Sequence, residues 1–230
     1  GSSTLSLVDV AGRAAGPHDL GIDQAGSAML ARLEVPVGTT RIAATSGWVR
    51  GDAVGGVDGF VDVGHGADLH GAATVTYAQD PARRPDGRPV FARAVVGSTF
   101  EPARNVHASV EGYYNGSGAA GPSGYLATFA DPRFQIGEEY NVGRYYAGAL
   151  VDWQAHPLVH VGVALLANLL DPSAIASPQL RYSVANNALL VVGAFVPFGA
   201  RPGLGASGPT SPSEFGLYPY LYHVDLKVYM

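Results

Sequence analysis

His107-Ala108-Ser109 is the stretch of this sequence that spaces a general base and a nucleophile for catalysis. A β-strand points alternate side chains the same way, so His107 and Ser109 would share a face. Asn105 and Glu111 fall on that face too, and either could fix a histidine tautomer. Such a set would cleave an ester. Val110-Glu111 follows Ser109, however, and no Ser sits in a G-x-S-x-G turn. There is no P-loop and no dinucleotide fingerprint. The seven His are scattered; His156 and His160 would align only on a helix. With no Cys, a Cys-ligated metal site or a disulfide framework is excluded. No cofactor and no metal is therefore expected, and the chain is not read as an enzyme.

The larger inventory is ionisable residues that alternate with apolar ones. The cations are Arg32, Arg41, Arg93, Arg181 and Lys227; the anions are Glu34, Asp62, Glu111, Asp152 and Asp225. His70, His107 and His160 fall in the same phase. On strands, these thirteen would line one face and could serve as the wall of a pore. A selective pore is expected to carry a ring of one sign at its constriction. Balanced signs fit a weakly selective pore or a lumen crossed by salt bridges. The net charge of −5 and the absence of a Lys/Arg run argue against a nucleic-acid partner.

Strands must hold these residues, because helical stripes are hard to find and period-two alternation is frequent. At the C-terminal end Tyr220, Tyr222, Val224, Leu226, Val228 and Met230 oppose Leu221, His223, Asp225, Lys227 and Tyr229. Met29, Ala31, Leu33 and Val35 oppose Arg32 and Glu34, and Ile42, Ala44 and Trp48 oppose Arg41 and Thr45. Val90 to Val96 in steps of two oppose Arg93, and Val106, Ala108 and Val110 oppose His107, Ser109 and Glu111. Tyr145 to Trp153 in steps of two oppose Asp152; Val159, Val161 and Val163 oppose His160; Leu180 and Tyr182 oppose Arg181. Residues 5–10 give a faint pattern. Residues 188–198 are apolar on both faces, which hides their orientation.

The connections add to this. Segments 36–40, 64–67, 100–103, 154–157 and 185–187 are short. They alternate with longer ones at 12–26, 51–56, 80–89, 116–142, 171–178 and 199–214. Short turns on one side and longer loops on the other mark transmembrane barrels. Tyr77, Tyr114, Trp153, Phe198, Tyr220 and Tyr222 sit near strand ends, where aromatics form interfacial girdles. Charged residues are only 14% of the chain, against about 25% in an ordinary soluble domain. No apolar run is long enough for a spanning helix. Gly1-Ser2-Ser3 does not start a basic leader, so an exported chain is expected here in processed form or as a fragment.

The whole pattern resembles the bacterial outer-membrane β-barrels, above all the porin-like single-chain barrels. Tyr222, Val224, Leu226 and Val228 match their closing strand; Met230 stands where they carry a terminal aromatic. The stretch Glu111-Gly112-Tyr113-Tyr114-Asn115-Gly116-Ser117-Gly118 is similar to a strand-to-loop exit of such proteins. The likeness implies one domain over residues 1–230: a closed antiparallel up-and-down transmembrane β-barrel of about twelve strands (ten to fourteen). It implies a place in the bacterial outer membrane, contact with membrane lipid, and passive diffusion of small polar solutes. Outer-membrane phospholipase A is also such a barrel with a His-x-Ser, but Asn-Gly follows its Ser, unlike here. Residues 116–142 would be an external or constriction loop, rich in Tyr125, Phe129, Phe134 and Tyr140. Three other readings stay open. One is a non-conducting barrel subunit bound to a cell-envelope protein partner. The others are a hydrolase on His107 and Ser109, and a soluble β-sandwich. Arg50-Gly51-Asp52 and Asn115-Gly116-Ser117 match an adhesion tripeptide and a glycan sequon, and both read as turn chemistry.

Overall fold

A computed structural model describes residues 2–13, 22–205 and 208–229. Its main element is one twelve-stranded antiparallel sheet in which each strand pairs with the next along the chain. The strands are β1 (Thr4–Arg13), β2 (Ile22–Val37), β3 (Thr40–Val49), β4 (Asp52–Gly64), β5 (Ala67–Tyr77) and β6 (Val90–Ala103). They continue as β7 (Val106–Asn115), β8 (Tyr145–His156), β9 (Val159–Asn168), β10 (Ser173–Ala185) and β11 (Ala188–Phe198). A small hairpin, β12 (Gly203–Gly205) with β13 (Gly208–Thr210), stands in the last loop before β14 (Leu221–Val228). The expected strand number is thus met. Closure is not: β1 and β14 are the two ends of the sheet order and do not pair. Alternation reports which way side chains face; it carries no information about which edges meet.

The register settles the faces. Paired residues of antiparallel strands point to the same side. Arg32 pairs with Thr45, Ala43 with Asp58, Phe60 with His70 and His70 with Gly97. Gly97 then pairs with Glu111, Glu111 with Gly148, and His107 with Asp152. Asp152 pairs with Gly162, His160 with Arg181, Arg181 with Val191 and Val191 with Asp225. One polar face therefore runs unbroken from β2 to β14. The opposite face carries exposed apolar side chains on almost every strand, among them Leu33, Val57, Val75, Val96, Val110, Leu165, Val192 and Val224. β11, unreadable by pattern, puts Leu189 and Val191 on the polar face and Leu190 and Val192 on the apolar one.

Several boundaries differ from the expected ones. Residues 51–56 are not a loop. Arg50 (φ 51°) and Gly51 (φ 85°) form a two-residue turn with both φ positive, as type I′ requires, and β4 starts at Asp52. Its glycines 55 and 56 hid the strand. Residues 171–178 are likewise mostly strand, since β10 starts at Ser173. Two of the long connections are therefore about as short as the turns opposite them. The last strand starts at Leu221. Phe215–Leu217 forms a 3-10 turn whose Phe215 is buried against Tyr146, with ring centroids 6.5 Å apart. Met230, and part of the segment 12–26, lie outside the described residues.

Among the described residues there is no core between two layers. The fully buried side chains Tyr125, Val142, Tyr146, Arg133 and Glu214 collect at the loop end of the polar face. The segment 116–142 is folded over that end, with α1 (Tyr125–Phe129) and α2 (Pro132–Gln135), capped by the Asp131 carboxylate on the Arg133 N–H at 2.8 Å. Among the described residues no helix is long and apolar enough to cross a membrane.

Candidate functional site: the polar face and its loop cap

All thirteen expected pore-lining residues lie on the polar face, and most are tied into short-range clusters. Arg32 holds Asp58 in a two-pronged contact and reaches Glu34 at 3.4 Å. His70 lies between two carboxylates, Asp68 at 3.1 Å from Nδ1 and Glu111 at 3.1 Å from Nε2. A neutral imidazole donates from one nitrogen only, so both contacts are hydrogen bonds only when the ring is protonated. Asp152 meets Arg181 and, at 3.2 Å, His160. Asp225 lies 3.9 Å from His223. Arg93 pairs with Glu139 of the long loop at 2.7 Å. Asp62 caps the following turn through the Gly64 N–H at 2.8 Å. Arg41 and Lys227 have no ion pair among the described residues.

Three of these bridges share a design. Arg32–Asp58, His70–Glu111 and Asp152–Arg181 each cross an intervening strand over small residues. Gly97 of β6 lies between His70 of β5 and Glu111 of β7. A Cβ at Gly97 would stand 2.6 Å from His70 Nε2, 2.7 Å from Glu111 Cγ and 2.8 Å from the Val110 carbonyl. Glycine is the residue that lets the bridge pass. Gly162 does the same beneath the Asp152–Arg181 pair, where a Cβ would lie 3.3 Å from the carboxylate. Arg32 reaches Asp58 over the Ala43–Thr45 stretch of β3. Beside that pair is an open cavity of about 500 Å³, lined by Arg32, Glu34, Arg41, Asp58, Phe60 and His70.

The loop end is held by a different chemistry. Arg133 is fully buried; its guanidinium meets Asp52 at 2.6 Å and Glu138 at 2.8 Å, and covers the Phe91 ring at 4.8 Å. Arg83 of the β5–β6 loop also pairs with Glu138. Next to this charged knot is an acidic one. The Glu214 carboxylate accepts from the Val142 N–H at 3.0 Å, the Tyr146 hydroxyl at 2.5 Å and the Asn168 amide at 2.7 Å. Asp171 accepts from the Tyr125 hydroxyl at 2.5 Å and the Glu214 N–H at 3.1 Å, while its Oδ1 is buried with no hydrogen-bond partner among the described residues. Burial, with Asp171 nearby, pushes the Glu214 carboxyl above its ordinary range. Burial and the Asp171 carboxylate push the Tyr125 phenol up.

Some expected groupings do not form. His107 faces Glu101 at 3.2 Å, and among the described residues no hydrogen bond joins it to Ser109. Asp52 of the adhesion tripeptide is buried under Arg133, and Asn115 of the sequon is 2% exposed, bonded to Ser117 and to loop carbonyls. Neither can be presented. Of the loop aromatics, Tyr125 is buried, Phe129 and Phe134 pack edge to face at 5.0 Å, and Tyr140 is 75% exposed.

Sequence reasoning missed Asp52, Asp58 and Asp68. With them the polar face carries an acidic excess where the signs had seemed balanced. Asp58 was within reach, since it continues the alternation of Asp62 and Phe60 backwards past the glycines. Asp171 and Glu214 had no such signal, because loop residues follow no period. Comparison with protein-family models and with curated protein sequences finds no match for this chain.

Proposed function

We propose that the sheet closes on itself in the bacterial outer membrane as a twelve-stranded barrel and works as a porin-like channel for small polar solutes. The observation that carries this is the pair of faces. Most strands of the twelve-stranded sheet place charged, polar or small side chains on one side, and most place large exposed apolar ones on the other. An apolar surface this extended has no stable place in water, where contiguous patches rarely exceed a few hundred Å². It matches hydrocarbon. A ten-residue strand rises about 34 Å and, tilted near 45°, crosses about 24 Å, the height of a barrel's apolar band. On the apolar face aromatics stand near both ends: Trp48, Tyr77, Tyr145, Phe198 and Tyr222 toward the loops, Trp153 and Tyr182 toward the turns.

Closure follows from the same solvent. Each backbone group left unpaired in lipid costs several kcal/mol, so an open edge cannot persist there. An even strand number leaves β1 and β14 antiparallel to each other, as a closing pair of this kind requires. The inner wall would be wet, with small residues such as Gly97, Gly148, Gly162 and Ala164 between its charge clusters. Refolding into lipid vesicles tests this. The strands should become protected from added protease, and folded protein should be lost from detergent-free buffer. A monodisperse, folded protein in plain buffer would contradict it.

A second reading is favoured by the loop cap. Arg133, Glu139 and Glu214 fill the loop end with satisfied ion pairs and hydrogen bonds. A barrel so capped would be a non-conducting subunit for a cell-envelope partner. Folded protein that inserts but carries no current would favour that reading.

A further inference from the structure

Glu214 joins two loops that are far apart in sequence. Its Oε1 accepts from the Val142 N–H, 72 residues back, and its Oε2 from Tyr146 and Asn168. Its own N–H donates to Asp171. Asp171 in turn holds the Tyr125 hydroxyl of α1, and the Asn168 amide donates to that hydroxyl at 2.9 Å as well as to Glu214. The loop before β14, the β9–β10 turn and the long loop are thus tied at one point. Glu214 is 0% exposed.

The point holds two carboxyl groups and no cation. Among the described residues neither Glu214 nor Asp171 makes an ion pair. The titratable groups that face Glu214 are Asp171, Tyr125, Tyr146 and Tyr218. Burial also pushes the Tyr218 phenol up, so it brings no compensating charge. Three donors favour the ionised form of Glu214, whereas burial and Asp171 oppose it, and burial is the largest of these. A buried, unpaired carboxylate costs several kcal/mol, and the remedy is to bind a proton or to leave the site.

We infer that Glu214 is a proton-operated latch, which holds segment 211–218 against loop 116–144 while protonated and releases it on ionising. The sign follows from linkage. A carboxyl whose docked state has the higher pKa contributes docking stability at low pH and loses it as pH rises through that value. The docking equilibrium then weakens by about tenfold per pH unit between the undocked and the docked values and levels off above the docked one. The latch closes toward acid and loosens toward alkali. It requires only that the loops dock, so it does not depend on conduction.

Hydrogen exchange on the folded protein in detergent micelles, expressed as protection factors, tests it. The Val142 and Glu214 amides should lose protection by about tenfold per pH unit across the transition and level off above it, while mid-strand amides of β8 and β9 stay protected. Glu214→Gln, which cannot ionise, should give a flat profile. If that variant misfolds, Asp171→Asn serves, since removing the neighbouring charge should end the transition at lower pH, with a smaller total loss of protection. Protection that is constant or rises with pH in the wild type, or an unmoved transition in Asp171→Asn, overturns the latch. A sealed bilayer would bear on the channel and leave this result standing.

Discussion

Arg133 of the longest loop reaches Asp52 at the start of β4, 81 residues back along the chain, with 2.6 Å between guanidinium and carboxylate. Both are essentially excluded from solvent. This contact fixes the loop over the polar face and makes it a cap. Removing Asp52 leaves the buried Arg133 with one carboxylate, Glu138, in place of two, at a cost of about 3 kcal/mol, the low end for breaking a buried pair. Asp52→Ala should therefore detach the cap while the strands persist. Protease cleavage within 116–142 should accelerate by more than a hundredfold, with unchanged circular dichroism. Arg133→Met with Asp52→Leu should recover much of the protection, because the pair is then replaced by apolar contact over Phe91.

His70 and Glu111 meet above Gly97, and that glycine is the condition for their contact. Gly97→Ala should push them apart and strain the Val110 carbonyl, lowering stability by about 1–3 kcal/mol. The denaturant midpoint for unfolding from micelles reads this directly. His70→Ala in the same chain should restore only part of the loss, since the carbonyl clash at 2.8 Å remains. Gly112→Ala is the control: its Cβ would meet only Val96 Cγ1, at 4.0 Å, and should change the midpoint little.

The acidic excess on the polar face gives the proposed channel a sign. Asp58, Asp68, Glu111 and Asp152 are matched by fewer cations, and Asp62 has no cation at all among the described residues. A lumen lined this way concentrates cations. In a salt gradient the reversal potential should favour potassium over chloride. Asp62→Asn with Glu111→Gln should reduce that preference by about half while leaving the sheet folded. Preference for chloride in the wild type would contradict the assignment of faces.

Legibility in the sequence followed periodicity. Wherever a strand carries apolar side chains on one face and polar ones on the other, a period of two is written into it, and Arg32, His70, Arg93, Asp152 and Arg181 could be placed by counting. Where both faces are small or apolar the count fails. The glycines of β4 concealed Asp52 and Asp58, and the run 188–198 concealed the facing of β11. The cap was not readable at all. Arg133, Asp171 and Glu214 acquire their meaning from contacts between loops, and only the length and aromatic content of 116–142 hinted that it would be ordered. Sheet closure is equally invisible to alternation, because both edges look alike whether or not they pair.

The central claim is that water and small ions cross inside this sheet. Single-channel recording in a planar bilayer tests it most directly, using wild type and Asp52→Ala. The expected result is discrete conductance steps, larger or less often interrupted when the cap is released. A bilayer that stays sealed with folded, inserted protein, for wild type and variant alike, would contradict the claim.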